Sequence, residues 1–416
     1  IEELPDTEKD EQPNVIFVLG ESFFDVTELP GVSYAEDPVA DFHRICSEGV
    51  SGKFYTHTLG YGTENIELEI MTGINTRFFS WDDMIYGWEQ EKLLTYPSLP
   101  QLFSDAGYYT AYLHTFNDGI YNRTALYTAL GFQDMYFSGD FAAIDPEAAA
   151  APDYWGYMYG KIAGEFYSDD YLADVTAELF DQKAGEGPVF LWAVTMENHT
   201  PYTADKFSSY DFPFESDLGD EAVGVLNAVT QGVADCSEAL GKLVDHLAAQ
   251  DEPVIVVFFG DHRPGTPLES GATVYSELGM CPEDVADWEL EDYAELYSTD
   301  YVIWSNDPSL LPAEPGSRMN TSSTLLGVEA LQLAGMDLDE YWSMCAVVDT
   351  VSDGWTWNFF VPQDGEPCFS PYVGLDEKGM DIIKAMRVFM NSTFYGSDGP
   401  DFRDIFAGTE RDTDTK

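Results

Sequence analysis

Short apolar runs recur along this chain, each parted from the next by a stretch of helical pattern. "NVIFVLG" (14–20), "YYTAYLHT" (108–115), "PVFLWAVTMENH" (188–199), "PVIVVFFGDH" (253–262) and "DYVIWSND" (300–307) read as strands. The first and fourth are apolar at nearly every position, the pattern of a parallel strand covered on both faces. Helical segments fall at "SLPQLFSDAG" (98–107), with Ser98 as N-cap and Gly107 at its end, at "SDDYLADVTAELFDQKAG" (168–185), over roughly 220–249, and at "TSSTLLGVEALQLAG" (321–335). Strands alternating with helices require right-handed crossovers, so the expected fold is α/β: a mainly parallel central sheet with helices on both faces. Past about 310 the alternation blurs. The expected organisation is an acidic linker (1–12), a main domain (13–310) and a smaller C-terminal subdomain with a polar tail (311–416).

The ends of these strands are polar. Glu21 follows Gly20, His114 ends the second run, His199 the third, and Asp261 and His262 the fourth, so three of the six histidines sit at strand ends. In open α/β sheets, ligands bind beyond the carboxyl ends of the strands. "LGYGTENIELEIMTG" (59–73) adds a hydroxyl: Thr63 lies on a glycine turn before a helical pattern in which Ile66 and Ile70 are four apart. Thr63 has two readings, an N-cap whose oxygen accepts a backbone N–H or a nucleophile beside a helix N-terminus that helps hold the anion it attacks. Taken singly, Asp261 can cap, His262 can pack, and Glu21 can face solvent. Taken together, two carboxylates, an imidazole and a hydroxyl suit one divalent ion, Mn²⁺ or Mg²⁺, with Zn²⁺ as an alternative. Metal coordination would also lower the hydroxyl pKa of the threonine. His43, His57 and His246 fit no motif and read as structural.

Charge restricts the partners. Eighteen Lys and Arg against 76 Asp and Glu give a formal net charge of -58. Such a chain lacks the cations that displace counterions from nucleic acid, which excludes nucleic-acid binding through its own surface. An anionic substrate needs local positive charge, from a metal ion or from Arg123 set among these motifs. The five cysteines are widely spaced with no C-x-x-C, so buried inert thiols are the default. No run of 18 apolar residues occurs.

"PNVIFVLGESFFD", "GYGTENIELEIMTG", "HTFNDGIYNRTALYTALGF", "ENHTPY" and "FFGDHRP" occur in an order and at spacings that resemble the lipoteichoic acid synthase group. These are phosphoglycerol transferases of the sulfatase/alkaline phosphatase superfamily, and the resemblance runs from about 13 to 265. It implies Thr63 as a nucleophile that takes up glycerophosphate covalently. It implies one divalent metal, usually manganese, on Glu21, Thr63, Asp261 and His262. It implies phosphate and glycerol contacts from His114, Arg123 and His199, with Tyr121 packing against the glycerol. The donor implied is phosphatidylglycerol and the acceptor a glycolipid or polyglycerophosphate. The enzyme would work at the extracellular face of the bacterial membrane, anchored by membrane-spanning helices absent from this chain. Two departures bear on the acceptor: the family's common Trp-Asn-Arg is Tyr121-Asn122-Arg123 here, and Arg263-Pro264 follow the Gly-Asp-His triplet.

Rival readings remain. A sulfatase activity requires Cys or Ser followed by Pro and Arg, where this chain has Thr63-Glu64-Asn65. A phosphoethanolamine transferase also uses a threonine in this fold. A two-metal phosphatase would require more ligands at strand ends. A non-catalytic glycerophosphate-binding domain would not need all four ligands.

Overall fold

A computed structural model of the chain describes residues 12–76, 98–119, 122–356, 358–363, 365–369, 375 and 377–395. The elements that position the site are, in chain order, β1 (Asn14–Gly20), α1 (Ala40–Glu48), β2 (Val50–Tyr55), α2 (Thr63–Thr72), α3 (Leu99–Asp105), β3 (Tyr109–His114), α4 (Arg123–Ala129), β4 (Asp134–Tyr136), α5 (Asp169–Lys183), β5 (Val189–Val194), α6 (Asp220–Leu247), β6 (Val254–Gly260), β7 (Ser298–Ser305), β8 (Thr321–Ser322), α7 (Leu326–Leu333) and α8 (Glu340–Asp349).

The eight strands form one sheet in the order β8-β2-β7-β6-β1-β5-β3-β4. From β6 to β4 every pairing is parallel. β7 runs antiparallel to both β6 and β2. This is the mainly parallel sheet anticipated, with an antiparallel strand inserted toward one edge.

Both faces of the sheet are covered. Along β1, Val15, Phe17 and Leu19 enter one apolar cluster and Ile16 and Val18 the other. The first cluster is closed by α2, α3, α7 and α8 through side chains such as Ile66, Phe103, Leu326 and Trp342. The second is closed by α5 and α6 through Leu172, Leu179, Val229 and Leu243. A strand buried on both sides must be apolar at successive positions, which is why β1 and β6 are so readable.

Several details differ from the sequence expectation. β2, "VSGKFY", carries polar residues within it and was not anticipated as a strand. The third run stops as a strand at Val194, so His199 lies in a turn beyond the sheet and not at a strand end. Residues beyond 310 join the main body: β8 pairs with β2, and α7 and α8 pack into the first cluster. Ser98 caps α3 as expected, its hydroxyl accepting from the Gln101 amide at 3.4 Å. All five cysteines are free thiols.

Candidate active site

β1 and β6 are neighbours in register, with Gly20 opposite Gly260. Each strand therefore delivers its next residue, Glu21 or Asp261, to the same place at the carboxyl edge. Glu21, Asp261 and His262 are all buried, and one ligand atom from each lies within 4.8 Å of the others. Surrounding groups fix these carboxylates. Asp261 Oδ1 accepts from the amides of Ser22 at 2.8 Å and His262 at 3.0 Å. Glu21 Oε1 accepts from the Ser22 hydroxyl at 2.9 Å, and the Glu21 amide donates to Thr195 Oγ1 at 2.8 Å. His262 Nδ1 donates to the Arg263 carbonyl at 3.1 Å, which leaves Nε2 unprotonated in the neutral ring.

This donor set fits a cation. Asp261 Oδ2 is buried without a hydrogen-bond partner, 3.3 Å from His262 Nε2. Burial first, and then the facing charge of Asp261, push the Glu21 carboxyl up to about 8. Two buried carboxylates cannot share one small volume as anions unless a positive charge joins them. Hard oxygen ligands with one imidazole are the chemistry of Mn²⁺, Mg²⁺ or Zn²⁺.

Next to this trio is a cavity of about 260 Å³ lined by Glu21, Thr63, His114, Arg123 and His199, with Glu165 and Phe166 on its outer wall. The N-cap of α2 is Gly62, in the left-handed region at φ 93, and it provides no side-chain cap. Thr63 is thus the first helical residue and not the cap. Among the described residues its hydroxyl has no hydrogen-bond partner, and it faces the cavity. The capping reading of Thr63 does not hold.

Arg123 opens α4 after Asn122, itself at φ 50, and is only 4% exposed. Its Nη2 donates to Glu67 Oε1 at 3.4 Å, while Trp192 Nε1 donates to Glu67 Oε2 at 3.1 Å. His114 Nδ1 donates to the Val194 carbonyl at 3.3 Å. Burial, then the charge of Arg123, hold the His114 ring well below the usual histidine range, so it is neutral with Nε2 as an acceptor. His199 Nδ1 donates to the Thr200 carbonyl at 2.9 Å, and burial lowers its pKa as well. Tyr121 lies outside the described residues.

Sequence reasoning missed two supporting residues. Glu67 is one turn into α2 and reads as a solvent-facing acid in a helical pattern, yet it is fully buried under Arg123. Lys206 lies beyond "ENHTPY" with no motif around it. Its ammonium donates to the His199 carbonyl and sits over the rings of Tyr202, Phe207 and Phe166 at 5.1, 5.6 and 5.7 Å. Burial, opposed by Glu21 and other acids, lowers it to about 8. The remaining histidines are structural: His57 bonds buried Glu69 at 3.1 Å, His43 pairs with buried Asp25 and with surface Asp37, and His246 pairs with surface Asp181.

Known proteins resemble this chain in the same region. A family model described as Sulfatase matches residues 13–331. A Rhizobium meliloti (strain 1021) protein named for cyclic beta-1,2-glucan modification is 29% identical over 333 residues, 79% of this chain and 47% of that protein. This chain spans about half the length of the curated relatives it matches. The Streptococcus pyogenes phosphoglycerol transferase GacH, solved in complex with sn-glycerol-1-phosphate, superposes with a TM-score of 0.69 at 18% identity, over 95% of this chain and 89% of that one. The lipoteichoic acid synthase LtaP from Listeria monocytogenes superposes with a TM-score of 0.61 at 16% identity, over 94% and 93% of the two chains. With a family match over residues 13–331 and a fold shared with these two solved structures, the chain belongs to the sulfatase family.

Proposed function

We propose that this protein is a metal-dependent phosphoglycerol transferase. It would move glycerophosphate from phosphatidylglycerol, through a covalent intermediate on Thr63, to a hydroxyl of a cell-envelope acceptor. The observation that carries this reading is the uncapped Thr63 hydroxyl at a helix start, in one cavity with Arg123 and beside three buried metal-type ligands. The names of the solved neighbours, a phosphoglycerol transferase and a lipoteichoic acid synthase, support the same class.

Glu21, Asp261 and His262, with Thr63, would hold the ion. Bound there, a divalent metal, Mn²⁺ by preference, supplies positive charge that acidifies the adjacent hydroxyl and offsets the phosphate charge. Arg123, fixed by Glu67, receives the phosphate oxygens. His114 Nε2 accepts a hydrogen bond from a head-group hydroxyl. His199 Nε2 takes the proton as Thr63 Oγ bonds to phosphorus, and returns it to the diacylglycerol oxygen as the old P–O bond breaks. In the second half-reaction the acceptor hydroxyl attacks, the bond to Thr63 breaks, and the proton passes to Thr63. Phosphoryl transfer asks a protein mainly for such positioning and charge.

The same reading places the chain outside the cell membrane, as an ectodomain in which described residues beyond 310 share the central sheet and the core of the catalytic body. Among the described residues no helix is long and apolar enough to cross a membrane. Intact-protein mass spectrometry after incubation with phosphatidylglycerol tests the proposal. The expected result is a glycerophosphate adduct that maps to Thr63. An unmodified protein, with metal present and diacylglycerol released, would remove the covalent mechanism.

A further inference from the structure

Arg263, directly after the His262 ligand, does not line the cavity but ties three segments together. Its carbonyl accepts from the Gly60 amide at 2.8 Å, in the turn that leads to Thr63. Its guanidinium donates to the Ser298 carbonyl at 2.8 Å and to Glu295 Oε1 at 3.1 Å. The segment so anchored, 282–297, carries a strip of three aromatic rings. Trp288 lies 5.3 Å from Tyr293, Tyr293 lies 5.5 Å from Tyr297, and Trp288 and Tyr297 are 6.2 Å apart, all edge to face. All three are half-buried, so each keeps part of its surface in solvent. Tyr61, from the nucleophile turn itself, is 55% exposed. Tyr61 adjoins Gly60, whose amide is tied to the Arg263 carbonyl, so the turn that carries Tyr61 is held to the residue that anchors the strip.

The charge around the strip is one-sided. Glu283, Asp284, Asp287, Glu289 and Glu291 are exposed along it, and residues 264–317 contain no Lys or Arg. Such a surface repels a polyglycerophosphate chain and an anionic membrane alike. It suits a neutral, hydroxyl-rich polymer: the C–H faces of sugar rings pack on aromatic rings, and carboxylates accept hydrogen bonds from sugar hydroxyls. A basic peptide would suit the charge, but the transfer reaction requires an acceptor hydroxyl.

Resting on the transferase reading above, we infer that Tyr61, Tyr297, Tyr293 and Trp288 form the docking strip for a neutral glycan acceptor, seated beside Thr63 by Arg263. A bound sugar hydroxyl would attack the phosphorus held on Thr63. The new P–O bond forms as the bond to Thr63 Oγ breaks, and the sugar hydroxyl proton ends on Thr63.

The test uses the metal-loaded chain with a nitrophenyl ester of glycerophosphate as donor. Linear and cyclic neutral gluco-oligosaccharides, polyglycerophosphate and oligolysine are compared as additions. The expected result is phosphoglycerol transfer to a neutral oligosaccharide. In Trp288→Ala and in Tyr61→Ala, the ratio of transfer to hydrolysis should fall about tenfold. Calorimetric titration of the same oligosaccharides reads the strip without catalysis, and binding should weaken in both variants. Tyr61 is exposed enough that its removal leaves the fold intact, which a thermal melt checks. Donor hydrolysis without an adduct on Thr63 would count against the transferase mechanism alone. Unchanged ratios and affinities in both variants, transfer only to polyglycerophosphate, or oligolysine displacing the sugar would each overturn the strip.

Discussion

Glu67 Oε1 lies 3.4 Å from Arg123 Nη2, and both side chains are buried. Glu67 is four residues after Thr63 on the same helix, so α2 both presents the hydroxyl and orients the guanidinium that faces it. The helix is buried nearly all round, carboxylates included: Glu69 accepts from the Thr76 amide at 2.8 Å and hydroxyl at 2.6 Å, and from Ser323. Such a helix is held by polar contacts on several sides, which fixes Thr63 in place.

Glu67→Ala would leave a buried guanidinium with one fewer anion, and breaking a buried pair costs about 3–5 kcal/mol. Arg123→Ala should lose about 2–4 kcal/mol of transition-state stabilisation, read from kcat/KM. Arg123→Lys keeps the charge without the planar fork and should retain a minority of the activity. Chemical denaturation and kinetics on a soluble phosphodiester separate the two effects. Equal kcat/KM for wild type and Arg123→Ala would show that Arg123 does not read the phosphate.

Thr63→Ala should abolish donor turnover and leave stability within about 0.5 kcal/mol of wild type. The N-cap of α2 is Gly62, so no capping bond is lost with the hydroxyl. A thermal melt run beside the activity assay checks both halves. A stability loss of about 1 kcal/mol with activity kept would restore the capping role.

The parts of this site legible in the sequence were those tied to strand ends. β1 and β6 are apolar at successive positions because helices cover both faces, and the Gly-Glu and Gly-Asp-His steps mark where they leave the sheet. β2 was illegible because its Ser51, Gly52 and Lys53 break the apolar pattern, although β7 pairs along it. The antiparallel course of β7 could not be read either, since an apolar run carries no direction. Glu67 and Lys206 escaped notice because a buried charge and a solvated one have the same letter. Only the tertiary partner, Arg123 for one and the His199 carbonyl for the other, tells them apart.

Removing the divalent ion should inactivate the protein reversibly and lower its melting temperature. A ligand that binds only the folded state adds stability by mass action, about 4 kcal/mol at a thousandfold excess over its dissociation constant. Asp261→Asn should lose metal outright, because Oδ2 has no other partner in its buried place. Elemental analysis and melts with and without chelator decide this. Full activity at negligible metal content would rule the assignment out.

His43 predicts a slope of stability with pH. Its Nε2 bonds Asp25 at 2.8 Å and its Nδ1 bonds Asp37 at 2.7 Å. The bond to Asp25 leads, against burial and with help from Asp37, in raising the ring to about 9. A histidine raised in the folded state stabilises fully below its unfolded value of about 6.5 and loses that contribution as pH climbs through its folded value. Denaturation midpoints should therefore decline between about pH 6.5 and about pH 9, and His43→Gln should flatten that part of the curve. The side chain is partly exposed, so the effect should also shrink in high salt.

Gly20 and Gly260, paired across β1 and β6, let the two strands meet at one ion. A Cβ on Gly260 would lie 1.9 Å from the Phe23 carbonyl oxygen, a backbone atom. A Cβ on Gly20 would meet Phe258 at 2.8 Å and Phe23 at 2.9 Å, but those atoms belong to side chains. Backbone can yield only by moving its neighbours. Phe23 is two residues from Glu21, and the Ser22 amide between them holds Asp261 at 2.8 Å. Gly260→Ala should therefore push the Glu21–Phe23 segment away from β6 and spread the ligands, costing metal affinity as well as stability. Gly20→Ala should cost stability of the order of 1–3 kcal/mol, as overpacking does, with metal binding less affected. Metal titration of the two folded variants, followed by calorimetry, compares them directly. Equal metal affinity in both would mean that the close approach of β6 to Phe23 does not set the geometry of the ligands.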